Sequence, residues 1–172
     1  MLRETIGSRG TTRMVLLPVT MLGWAGLMTV ILLFGELPLA ALLPLAVLVG
    51  GYEAIHALHV GVERIGRYLQ VYYEGSSDGP RWETTVTAVG PALPGGGIDP
   101  LFSLVFVCAA IVNMLPVVIP HPTRMELGVV GAFHIAFVFR VVRARGAAAR
   151  QRAVELESFR ALKSQAQSDG SG

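Results

Sequence analysis

Apolar residues gather into four stretches of this 172-residue chain, divided by short polar or proline-bearing segments. The stretches run over 14–34, 37–62, 100–119 and 126–144. A helix that crosses a bilayer needs about 20 predominantly apolar residues, so the pattern predicts four membrane spans. The fourth is the shortest in strictly apolar content, and Arg124 and Arg140 extend it because long basic side chains reach the headgroups. Gly35-Glu36-Leu37-Pro38 leaves room only for a tight hairpin, with Pro38 suited to a helix first turn. Pro18 and Pro44 fall inside apolar runs and predict kinks that neighbouring helices can compensate in lipid.

Helical periodicity continues past the second stretch. Val62, Ile65, Leu69 and Tyr72 recur on one face, so the second helix is expected to project into water as far as Glu74. Residues 63–99 then read as this extension followed by a loop; within it, Asp78-Gly79-Pro80-Arg81-Trp82-Glu83 predicts the start of a short helix with Trp82 at an interface. Gly95-Gly96-Gly97 reads as a hinge, and Asp99-Pro100 as an N-cap with proline at the first helical position. After the fourth span, 145–166 is rich in helix formers, while 1–13 and 167–172 read as a polar tail and a disordered tail.

Composition agrees with the pattern: 52% of residues are hydrophobic, 15% are charged, and mean hydropathy is +0.56, outside the range of ordinary soluble domains. The basic residues decide orientation. Thirteen of the fourteen precede span 1, separate spans 2 and 3, or lie at or after the end of span 4; only Arg124 falls on the other side. The positive-inside rule therefore predicts cytoplasmic N- and C-termini. Thirteen arginines against one lysine is the bias of a GC-rich bacterial genome, which points to a bacterial inner membrane. The first stretch exceeds a secretory h-region and lacks a small-residue cleavage site, so it reads as a span rather than a signal peptide.

The candidate chemistry lies among polar groups inside the apolar stretches, since such groups are costly in lipid. Glu53 and His56 sit on span 2, beside a stripe of small residues, Gly50, Ala54, Ala57 and Gly61. Span 4 carries a matching stripe, Gly128, Ala132 and Ala136. Small stripes permit close helix approach, so spans 2 and 4 are expected to pack together, with His134 near Glu53 or His56. Counting residues from each hairpin predicts one polar network of Thr20, Glu53, His56, Asn113 and His134. Glu53, His56 and His134 are weak metal candidates, because Glu-x-x-His matches one of the two such pairs in a di-iron ligand set, which needs two further carboxylates besides, and no second copy exists. Haem ligation ranks lower, since His56 and His134 fall at different depths. Cys108 is the single cysteine, so no intrachain disulfide forms.

Glu63, Arg64, Arg67, Tyr68, Tyr72 and Trp82 make up the expected cytoplasmic interface. No nucleotide-binding loop, nucleophile elbow or dinucleotide fingerprint occurs, and the basic residues serve topology rather than nucleic acid. No cofactor is specified. The sequence is thus expected to encode an all-α integral membrane protein, a four-helix bundle with cytoplasmic extensions of helices 2 and 4. Its expected role is that of a non-catalytic subunit or scaffold binding a membrane or cytosolic protein, or itself. The alternative is a membrane-embedded redox, metal-binding or proton-transfer protein using Glu53, His56 and His134.

Overall fold

A computed structural model describes residues 2–35, 37–74, 81–89 and 100–169. The helices are α1 (Leu2–Phe34), α2 (Leu42–Tyr72), α3 (Trp82–Val89), α4 (Pro100–Val112), α5 (Leu115–Val118) and α6 (Arg124–Asp169), with a short 3-10 turn, Pro38–Ala41, before α2. No strand occurs among the described residues. Three helical segments are long and apolar enough to cross a membrane: Met14–Phe34, Pro38–Tyr72 and Arg124–Ala144.

The third apolar stretch departs from the uninterrupted span expected over 100–119. Pro116 offers no N–H to the carbonyl four residues earlier and its ring crowds that carbonyl. The chain therefore turns at Asn113–Met114, where Asn113 N–H donates to Ala109 O at 2.8 Å and Met114 N–H to Ile111 O at 3.1 Å. The result is a shorter apolar helical unit, Phe102–Val118. Pro44 differs from expectation in a simpler way. It lies in the first turn of α2, where its missing N–H would have no helical partner anyway, so the chain needs no kink there.

Two further boundaries move. The segment 2–13 is helical rather than a tail, since extending an existing helix avoids the cost of nucleation. Likewise α6 continues unbroken to Asp169, so 167–169 is helical. The helix expected after Pro80 is present as α3; the glycine hinge and Asp99 lie outside the described residues. Thr123 starts α6 with a capping box: its N–H and hydroxyl donate to Glu126 Oε2 at 2.9 and 2.7 Å, and Glu126 N–H approaches Thr123 Oγ1 at 3.3 Å.

α2 is the central element and packs against α1, α4 and α6. Tyr52, 1% exposed, anchors the core. Its ring stacks on Phe102 at 5.6 Å between centroids and meets Phe106 and Phe137 edge-on at 5.4 and 5.9 Å. Leu45, Leu48, Ile55 and Val141 complete this cluster. α1 comes close at Gly51, where a Cβ would overlap the Thr20 side chain. Many other large apolar side chains point outward, including Leu22, Phe34, Ile111, Ile135 and Phe139. An apolar surface of that extent suits lipid rather than water.

The small-residue stripes do not join α2 to α6. Gly50, Ala54 and Ala57 are exposed, as are Gly128, Ala132 and Ala136, and Gly61 is only half-buried. A Cβ at Gly50 or Gly128 would meet nothing within 4 Å. The two helices do pack, but through Tyr52, Ile55, Phe137 and Val141. Aromatic side chains bury far more area than alanines, and they turn the small faces outward.

Candidate functional site

Two polar clusters stand out, one near the start of α2 and the other toward its far end. The first lies near the end where α1 meets α2 and α5 meets α6. Asn113, fully buried, sits at the break between α4 and α5. Its Nδ2 donates to Ala41 O at 2.9 Å and to His134 Nε2 at 3.0 Å, while its Oδ1 accepts from Trp24 Nε1 at 3.1 Å. With Nε2 accepting, Nδ1 carries the His134 proton and donates to Val130 O at 2.8 Å. Both ring nitrogens of His134 are therefore occupied. One amide thus ties three helices and the 3-10 turn together, and it does so just where Pro116 breaks the helix.

The network predicted from residue counting is only partly assembled. Asn113 and His134 meet, as the hairpin count places them, but Thr20, Glu53 and His56 lie elsewhere. Thr20 Oγ1 donates to Leu16 O within its own helix at 2.8 Å. Glu53 pairs with Arg140 at 2.8 Å, with both side chains nearly half exposed. Arg140 follows His134 by six residues, which is about 9 Å along the helix, so Glu53 sits well away from His134. His56 instead stacks on Tyr52 at 5.8 Å. The expectation of His134 beside Glu53 or His56 fails because α6 is shifted along α2: His134 falls level with Ala41. Among the described residues no three His, Cys, Asp or Glu side chains converge as metal ligands. Glu53, His56 and His134 do not form a ligand set.

The second cluster joins the distal parts of α2 and α6. Glu155 lies between two arginines of α2. Arg64 Nε and Nη2 donate to its Oε1 at 3.1 and 3.0 Å, and Arg67 Nε donates to its Oε2 at 2.8 Å. Gln151, one turn earlier on α6, also donates to Oε1 at 2.9 Å. Arg67 is only 6% exposed and reaches Glu63 at 3.2 Å as well. Glu63 in turn accepts from Arg152 at 2.9 Å and pairs with His59 at 3.4 Å. Burial works against the charge of Glu155, but hydrogen bonds from Arg64, Gln151 and Arg67 outweigh it and hold its carboxyl below the usual glutamate value.

Farther along the same pair of helices, Tyr68 stacks on Tyr72 at 4.6 Å and meets Phe159 edge-on at 5.9 Å. Lys163 Nζ donates to Val71 O at 2.7 Å. The side chains expected to form an interface thus do so with α6 of the same chain. Trp82 is the exception: it is 71% exposed on α3. Tyr73, Val154 and Leu162, on the distal parts of α2 and α6, are exposed as well.

Three residues that organise these clusters escaped sequence reading. Trp24 reads as simple packing, and the sequence pattern singles out neither Tyr52 nor Glu155. A sequence signal exists for Glu155: Gln151 and Glu155 are four apart in an arginine-rich helix, so they share a face and mark where it meets a basic partner helix.

The architecture defined by these elements is an all-helical protein carrying three helices long and apolar enough to span a membrane. Comparison with family models, with characterised proteins and with solved structures finds no match for this chain.

Proposed function

We propose that this protein is a non-catalytic membrane subunit or scaffold whose working part is the two-helix stalk made by the distal ends of α2 and α6. The observation that carries the reading is the continuity of α6. One helix runs from the apolar segment Arg124–Ala144 to Asp169, and Glu155 clamps its distal part onto Arg64 and Arg67. A stalk so braced is a rigid platform, and Trp82, Tyr73, Val154 and Leu162 offer apolar contacts on its outside. Aromatic anchors of this kind are enriched where proteins bind one another.

In this reading α4 and α5 together make a fourth, short span, with the Asn113 side chain tying the break to α1, the 3-10 turn and α6. The bundle lies in a bacterial inner membrane with the stalk in the cytoplasm, on the strength of the arginine distribution. The alternative, a redox, metal or proton-transfer centre, has less support, because His134 stands apart from Glu53 and His56.

Two measurements test the proposal. In a Cys108→Ser background, a membrane-impermeant maleimide applied to intact cells should label His121→Cys and spare Ser168→Cys; the reverse pattern would invert the topology. Photo-crosslinkers at Val154, Leu162 and Trp82 should yield a discrete protein adduct in cells. A chain that crosslinks to nothing at all three positions would sink the scaffold reading.

A further inference from the structure

A cleft of about 430 Å³ opens where the end of α2, the start of α3 and the tail of α6 come together. That volume falls within the roughly 300–1,000 Å³ of small-molecule sites. Its charge is one-sided. Arg81, Arg160 and Lys163 line it, and Glu74 is its one acid among the lining residues. The Glu74 carboxylate is already engaged in starting α3, accepting from Thr84 N–H at 2.8 Å and Thr84 Oγ1 at 2.6 Å. The cations are placed differently. Lys163 is held at the wall by its bond to Val71 O, which leaves two ammonium donors to point elsewhere. Among the described residues, the guanidiniums of Arg81 and Arg160 have no hydrogen-bond or ion-pair partner.

Two unpaired guanidiniums from different elements line the cleft together with one ammonium, a set of donors whose chemistry suits phosphate. We propose that this cleft binds a phosphate-bearing anion, with Arg81 and Arg160 as forks and Lys163 as the fixed charge between them. Two sources supply that chemistry: a soluble phosphorylated small molecule and an anionic lipid headgroup. Arg160 follows Ala144, where the apolar segment ends, by sixteen residues, about 24 Å along α6. A site that far beyond the apolar segment stands clear of the headgroups, so the soluble ligand is favoured. The inference does not rest on partner binding by the stalk, since it is read on the purified chain alone.

The test is calorimetric titration of the full-length protein in neutral phosphatidylcholine nanodiscs with pyrophosphate, alongside flotation with phosphatidylglycerol vesicles. The expected result is saturable pyrophosphate binding, weakened about tenfold by Arg160→Gln or Arg81→Gln and only partly restored in Arg160→Lys, which keeps the charge but loses the fork. Arg150→Gln makes the same charge change on α6 outside the cleft and should leave binding intact. Arg81 and Arg160 lie at the surface, and circular dichroism should show their variants fully helical. Binding confined to phosphatidylglycerol vesicles and lost in Arg160→Gln would assign the site to a lipid phosphate. Absence of saturable binding in both arms, or equal loss in Arg150→Gln, would overturn the proposal.

Discussion

The Asn113 cluster and the Glu155 cluster do similar jobs by opposite chemistry. Asn113 joins α1, α6 and the 3-10 turn before α2 with neutral groups, each donor matched to one acceptor, inside an apolar bundle. Glu155 joins α2 to α6 with full charges, several donors crowding one carboxylate, in a segment rich in arginine. In lipid a charge is costly and an unmatched amide nearly so, so a small fully satisfied network holds helices best. Where water is at hand, charges bear partial exposure, and what they add is register and a dependence on pH. The contrast separates the fold into a bundle locked by neutral bonds and a stalk locked by ions.

If that division is right, the two clusters fail differently. Asn113→Leu should have the largest effect, since it strands Trp24 Nε1–H, Ala41 O and His134 together; a loss of roughly 3 kcal/mol is expected from one buried unsatisfied group or more. Unfolding in mixed micelles measures it, and a loss below that of Trp24→Phe would contradict the central role of the amide. Next comes Glu155→Gln, which leaves Arg67 buried without its main counter-charge. It should cost about 2 kcal/mol and act locally, exposing 145–169 to protease while micellar unfolding of the bundle stays unchanged. Loss of the bundle along with the stalk would erase the distinction between them.

The third outcome is pH dependence, and its sign is definite. Glu155 has a folded-state pKa below the ordinary value of 4.5. Its contribution is therefore fully present above pH 4.5 and is lost as pH falls through the lower, folded value. A distance probe between Arg150 and Gln70 should show the stalk opening on acidification below that point, and Glu155→Gln should remove the transition. Opening as pH rises would contradict the assignment. The smallest effect is expected at Glu53–Arg140, a half-exposed pair belonging to neither cluster. Glu53→Gln should change stability by about 1 kcal/mol or less, and a much larger loss would mean that protein or lipid covers this pair.

Legibility in the sequence followed the range of the interaction concerned. Pro116 stood in plain view, and its break is local chemistry that the apolar run masks only because neighbouring residues are so hydrophobic. The pairing of Asn113 with His134 was within reach because both lie on one hairpin, where counting residues from the turn measures depth. The placing of Glu53 was out of reach. It depends on how the second hairpin slides along the first, and that offset is set by Tyr52 packing between Phe102, Phe106 and Phe137. The stripes of Gly50, Ala54, Ala57 and of Gly128, Ala132, Ala136 misled for the same reason: small residues permit an approach without compelling it.

By itself, the sequence determined which segments are apolar and most of what is helical, since the free energy of transfer to lipid and the periodicity of an α-helix are properties of short stretches. It also determined the one-sided distribution of arginines. Tertiary structure alone decided which side chains meet across helices more than eighty residues apart. Trp24 with Asn113, Arg67 with Glu155 and Arg140 with Glu53 each depend on helix rotation and offset. Those are collective results of packing, to which every side chain in the core contributes and which no local pattern encodes.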